Sequence, residues 1–192
     1  DRARSEDGES GLGHPARRPA DINDSAEREA LAALAPDALV VVAFGQKIGP
    51  DLLALPRHGC LNLHGSLLPA FRGASPVVAA IRGGATRTGV TVIRMNERID
   101  AGGVLGEEAL EIGPLETAGE LTARLADAGT RLLLRVLDDL EAGRAVTRPQ
   151  DESRATYCRK VAKEDGRVRW ADAARDIALL VRSMSPRPGA FG

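Results

Sequence analysis

Apolar positions along the chain follow two periods, and the change from one to the other marks the predicted elements. Ala38 to Phe44, A-L-V-V-V-A-F, is a continuous β-branched run, which predicts a strand buried on both faces as in a parallel sheet. Thr88 to Met95 and Val104 to Ile112 predict two further strands. Between them the period lengthens. Asp24 or Ser25 caps a helix that runs to Leu34 and is stopped by Pro36. Asp51 to Leu55 predicts a helical turn before Pro56. Ser75 and Pro76 read as N-cap and N1 of a helix through Ile81, ended by Gly83 and Gly84. Thr117 and Glu120 form a capping box, opening a helix whose apolar face is Leu121, Leu125, Ala128, Leu132, Val136 and Leu140. Gly143 closes it. Strands alternating with helices predict an α/β sheet with helices on its faces.

The pattern is weakest at the two ends of the chain. Residues 1–23 are rich in Arg, Gly, Asp, Glu and Pro and predict a loop. From Arg144 to Arg169 basic residues outnumber acidic ones and apolar periodicity is lost, which reads as a polar linker. Ala171 to Met184 resumes a helical pattern and starts a second domain, with Trp170 as its expected core anchor. The chain opens on Asp1 and stops at Gly192 in mid-pattern, so both ends read as cut.

Composition narrows the class only a little. The chain has 192 residues, 43% hydrophobic and 28% charged, an ordinary globular balance. A net charge of −1 gives no global basic field to draw it onto nucleic acid. No apolar run reaches membrane-spanning length and no signal peptide is visible. Cys60 and Cys158 lack metal-ligand spacing and read as reduced thiols in a cytoplasmic protein, with no metal site expected.

The candidate chemistry lies between Gly59 and Gly73, G-C-L-N-L-H-G-S-L-L-P-A-F-R-G. Strand alternation puts Cys60, Asn62 and His64 on one side and Leu61 and Leu63 on the other. Asn62 and His64 are therefore same-face neighbours, roughly 7 Å apart. An amide and an imidazole so placed suit carbonyl polarisation and proton transfer; taken alone they also suit a buried polar pair satisfied by backbone. Cys60 reads as packing. Gly65 lets a ligand approach the backbone, and exposed Leu67 and Leu68 beside polar backbone suit a flat heteroaromatic ligand. Arg72 can hold this loop or meet an acidic substrate group. Asp100, in the loop D-A-G-G, is by itself a turn former.

The series N-L-H-G-S-L-L-P-x-x-R-G with a downstream I-D-A-G-G loop resembles the folate-dependent formyltransferases, most of all those that formylate methionyl initiator tRNA. The resemblance runs from about Asp37 to Phe191. It implies a Rossmann-like, largely parallel sheet with flanking helices, lacking the family's opening βαβ unit, followed by the start of a C-terminal domain. The boundaries implied are a catalytic domain at 1–146, a linker at 147–166 and the second domain from 167. By the same resemblance Asn62, His64 and Asp100 are catalytic, and Ser66, Leu67, Leu68 and Pro69 contact the folate. The implied reaction moves a formyl group from 10-formyltetrahydrofolate to the α-amine of methionyl initiator tRNA, without a metal or membrane, in a cytoplasmic monomer. An amino-sugar or small-amine acceptor, or a fragment that only binds folate, are the alternatives. The chain departs from the family pattern at Ala70, where a basic residue is usual, and at Asn96 and Arg98, where an acidic residue and a glycine are usual.

Overall fold

The computed structural model describes residues 8–9 and 15–192. Strands β1 (Gly8–Glu9) and β2 (Pro15–Ala16) pair antiparallel. The rest of the loop expected at the N-terminus lies partly outside the described residues. Helix α1 (Ser25–Ala33) leads to β3 (Leu39–Val42), α2 (Pro50–Ala54) and β4 (Cys60–His64). Strand β5 (Arg72–Gly73) and helix α3 (Pro76–Arg82) follow. Strands β6 (Arg87–Arg94) and β7 (Gly103–Glu111) precede the long helix α4 (Ala118–Glu141). The chain ends through β8 (Tyr157–Cys158) and α5 (Ala174–Met184).

The α/β class with flanking helices is as expected, and the main sheet has the order β3-β4-β6-β7. Its β3–β4 pair is parallel, as is the small β5–β8 pair. The β4–β6 and β6–β7 pairings are antiparallel, so the largely parallel character holds only in part. Residues 95–102 between β6 and β7 are too few for a crossover and close a hairpin instead.

One face of the sheet carries the core. The expected stripe of α4, from Leu121 to Leu140, buries against Leu61, Val90 and Val92. Its capping box forms as read, with Glu120 N–H donating to Thr117 Oγ1 at 3.3 Å and Thr117 N–H donating to Glu120 Oε2 at 2.8 Å. Gly129 lets the helix approach β4 closely, because a Cβ there would lie 2.8 Å from a methyl of Leu63. The other face of β4 and β6 turns Asn62, His64 and Thr91 toward the site.

Strand β3 differs from expectation. It is the edge of the sheet, and Val40 and Val42 are 44% and 53% exposed. Leu39 and Val41 pack near α1 and α2, with Leu31 and Leu53, but α4 lies over β6 and β7 and leaves the far side of β3 open. Trp170, expected as a core anchor, is 78% exposed; Leu180 and Met184 of α5 fill that role. α5 packs on α3, and Gly119 N–H donates to Ser185 O at 3.0 Å.

The segment expected as a polar linker is packed rather than free. Arg148 bridges Val104, and β8 pairs with β5. Its Gln150, Glu152, Thr156 and Tyr157 have partners inside the protein, which composition alone could not reveal.

The core makes a direct prediction. Leu121→Ala, at a fully buried position, lowers the unfolding free energy by about 2–5 kcal/mol. Leu134→Ala, on the exposed side of the same helix, changes it by less than about 0.5 kcal/mol. Urea unfolding of the two variants checks the contrast.

Candidate active site

β4 delivers Asn62 and His64 side by side, as its alternation requires, and the loop before β7 brings Asp100 to them. Asn62 Nδ2 donates to Asp100 Oδ1 at 3.0 Å, and His64 Nδ1 lies 3.6 Å from Asp100 Oδ2. Gly73 N–H donates to the same Oδ2 at 2.8 Å. Both carboxylate oxygens thus accept hydrogen bonds. His64 is 5% exposed.

The imidazole is oriented by backbone. His64 Nε2 lies 2.9 Å from Phe71 O. A carbonyl can only accept, so Nε2 carries the proton. In the neutral ring Nδ1 is then bare and faces a carboxylate oxygen, too far for a hydrogen bond. Protonating Nδ1 converts that repulsive contact into an attraction between opposite charges. The arrangement suits a nitrogen that takes up a proton and holds it beside an anion. Asn62 keeps a second N–H beyond the one given to Asp100, available to a developing negative oxygen.

The segment Phe71–Gly73 therefore carries the partners of both His64 and Asp100. It is anchored by Arg72, whose side chain is wholly buried. Arg72 Nε and Nη2 donate to Gln150 Oε1 at 3.1 and 2.7 Å. Nη1 and Nη2 donate to Glu152 at 3.1 and 2.9 Å, and Nη1 also reaches Tyr157 Oη at 3.3 Å. Arg72 N–H donates to Thr156 O at 2.9 Å and Phe71 N–H to Thr156 Oγ1 at 2.8 Å. Of the two roles open to Arg72, holding the loop is the one these contacts describe. Gln150, Glu152, Thr156 and Tyr157 had no sequence signal; they lie 78–85 positions from Arg72 in a stretch that reads as solvated.

The loop Ser66–Pro69 is built from inside. Ser66 is fully buried, and its hydroxyl donates to Ala70 O at 2.5 Å. Leu68 N–H donates to Thr91 Oγ1 at 3.1 Å, whose hydroxyl donates to Ser66 O at 2.7 Å. Leu68 is 6% exposed and packs with Ile93 and Val104, so it is not the exposed leucine expected from the sequence. A cleft of about 510 Å³ is lined by Leu67, Leu68, Pro69 and Ala70 with Arg87, Glu107, Ala109 and Arg154. Ser66, Asn62, His64 and Asp100 are outside its lining.

Cys60 is buried with its thiol on Leu52 O at 3.3 Å, and burial pushes its pKa up to about 11, the state of a packing residue rather than a nucleophile. Among the described residues no group of three His, Cys, Asp or Glu side chains could hold a metal ion, and no helix is long and apolar enough to cross a membrane.

Glu152 makes the anchor sensitive to acid. Hydrogen bonds from Arg72 and then Arg98 hold its carboxyl down to about 2, below the ordinary 4.5. A depressed folded-state value stabilises the fold above the unfolded value and loses that contribution as pH falls from about 4.5 toward 2. Wild-type protein should therefore lose more stability than Glu152→Gln between pH 6 and pH 3. Urea midpoints of the pair at both pH values decide it, and parallel losses count against the assignment.

The comparisons with known proteins fit this geometry. Residues 2–137 match the family model described as Formyl transferase, and residues 160–192 match the one described as Formyl transferase, C-terminal domain. A methionyl-tRNA formyltransferase of Anaeromyxobacter dehalogenans is 48% identical over 93% of this chain and 57% of its own length. The chain thus spans little more than half the length of that relative. HypX from Aquifex aeolicus, solved in complex with tetrahydrofolic acid, superposes with a TM-score of 0.75 over 85% of this chain and 28% of its own, at 23% identity. A sugar N-formyltransferase from a Shewanella species gives 0.76 over 88% of this chain and 69% of its own, at 21% identity. At those identities the two structures speak for the fold alone, but the family-model match and the 48% identical relative speak for descent: the chain belongs to the formyl transferase family.

Proposed function

We propose that the protein of which this chain is part transfers a formyl group from 10-formyltetrahydrofolate to the α-amine of methionyl initiator tRNA. The observation that carries the reading is the convergence of Asn62, His64 and Asp100, at 3.0 and 3.6 Å, beside the S-L-L-P loop. The 48% identity to a methionyl-tRNA formyltransferase supports the acceptor. A cytoplasmic setting goes with that substrate.

The residues present suit a folate. Leu67, Pro69 and Ala109 offer apolar walls for a flat ring system, and Arg87 and Arg154 offer cations for an anionic tail. The folate supplies the formyl group on nitrogen, and every other step falls to the chain. The acceptor amine forms a bond to the formyl carbon while the bond from that carbon to the folate nitrogen breaks. The amine must shed a proton, and His64 Nδ1 is the bare nitrogen placed to receive it. Asp100 holds the resulting imidazolium by charge. The same proton can then pass to the departing folate nitrogen, leaving His64 neutral. The free N–H of Asn62 stabilises the carbonyl oxygen as negative charge grows on it.

In the full reading frame, His64→Ala lowers transfer to charged initiator tRNA by roughly 10²–10⁴-fold while the protein still melts cooperatively. Turnover near that of wild type would sink the mechanism. Supplying an amino-sugar nucleotide in place of the tRNA tests the acceptor, and transfer to the sugar alone would replace it.

A further inference from the structure

Asp100 is held from two sides, and only one of them belongs to the sheet. Its carboxylate is fixed by Asn62 and Gly73. Its backbone has a positive φ of 49°, a left-handed conformation that aspartate tolerates better than most residues with a Cβ but still at a cost. The amide of Gln150 grips this turn from the other side. Its Nε2 donates to Asp100 O and to Gly102 O, both at 2.8 Å. Its Oε1 accepts from Arg72 Nε and Nη2. Because a guanidinium only donates and carbonyls only accept, the amide can face just one way. Few other restraints reach this turn from outside. Asn96 bonds within the loop, Ile99 is 67% exposed, and Arg98 reaches Glu152 with its side chain 63% exposed. At the turn's end Gly102 lies so close to Arg94 O that a Cβ would sit 1.9 Å from it, so only glycine fits there.

We propose that Gln150 is a positioning residue for Asp100. The strap of residues 148–158, as well as β4, then completes the proton-transfer site. The inference rests on the reading of Asn62, His64 and Asp100 as the reacting constellation. One amide ties the turn that carries Asp100 to the arginine whose neighbours, Phe71 O and Gly73 N–H, orient His64 and Asp100. Removing it frees the carboxylate to drift from Nδ1 without altering any group that touches substrate.

Gln150→Ala in the full-length enzyme should lower kcat by about 100-fold, the scale of a misplacement near 1 Å, with KM for donor and acceptor within about 3-fold of wild type. The deciding measurement is a double-mutant cycle with Asp100→Asn. If Gln150 acts through Asp100, Gln150→Ala adds little to the loss already caused by Asp100→Asn. Multiplying losses, or a wild-type kcat in Gln150→Ala, overturn the proposal. Gln150→Met keeps the side-chain volume and serves if the alanine variant loses its cooperative melt; failure of both to melt cooperatively makes Gln150 a plain scaffold residue. Inactive His64→Ala beside fully active Gln150→Ala defeats this inference alone, whereas full activity in both defeats the functional reading beneath it.

Discussion

A buried guanidinium sets the order of this molecule's site. Arg72 has five N–H groups, and Gln150, Glu152 and Tyr157 account for all of them. Its charge is delocalised and planar, so it can meet several acceptors in fixed directions where an ammonium could not. The Tyr157 ring lies 5.9 Å from its Cζ and adds a weaker attraction. A buried donor left without a partner would cost about 1–3 kcal/mol, so the arrangement is close to all-or-none. Either the strap is docked with every donor satisfied, or the arginine must leave the interior.

That requirement propagates into the chemistry through the backbone. Residues on either side of Arg72 contribute the carbonyl that accepts from His64 Nε2–H and the amide that grips Asp100. The parallel pairing of β5 with β8 fixes the direction of both. The rigid sheet supplies Asn62 and His64, and the docked strap supplies the turn that carries Asp100. Division of a site between a stiff layer and a later segment of chain explains why its parts lie up to 88 positions apart, from Asn62 to Gln150.

The two faces of β4 keep folding and chemistry separate. Leu61 and Leu63 meet α4, while Asn62 and His64 meet the loop and the strap. A period of two does this without compromise, since neither set of side chains limits the other. β6 repeats the division: Val90 and Val92 enter the core, and Thr91 ties down Ser66 and Leu68. That threonine thereby ties the S-L-L-P loop at two of its backbone groups.

The elements themselves were legible from local pattern. The capping box and stripe of α4, the alternation of β4 and the Ser75–Pro76 start of α3 depend on residues a few positions apart, and the structure places them as read. The pairing of Asn62 with His64 was legible for the same reason. Other features were not. The exposed side of β3, the buried positions of Ser66 and Leu68 and the exposure of Trp170 depend on which elements cover them. The strap was the least legible, because a run of Arg, Glu and Gln looks alike whether water or a distant arginine satisfies it. The sequence by itself determined the periodic elements and two same-face polar groups, since local sterics and side-chain direction suffice for those. Only the tertiary structure decided that Gln150 and Arg72 hold Asp100 to them, since hydrogen bonds between residues 50 and 78 positions apart exist only once the chain has closed on itself.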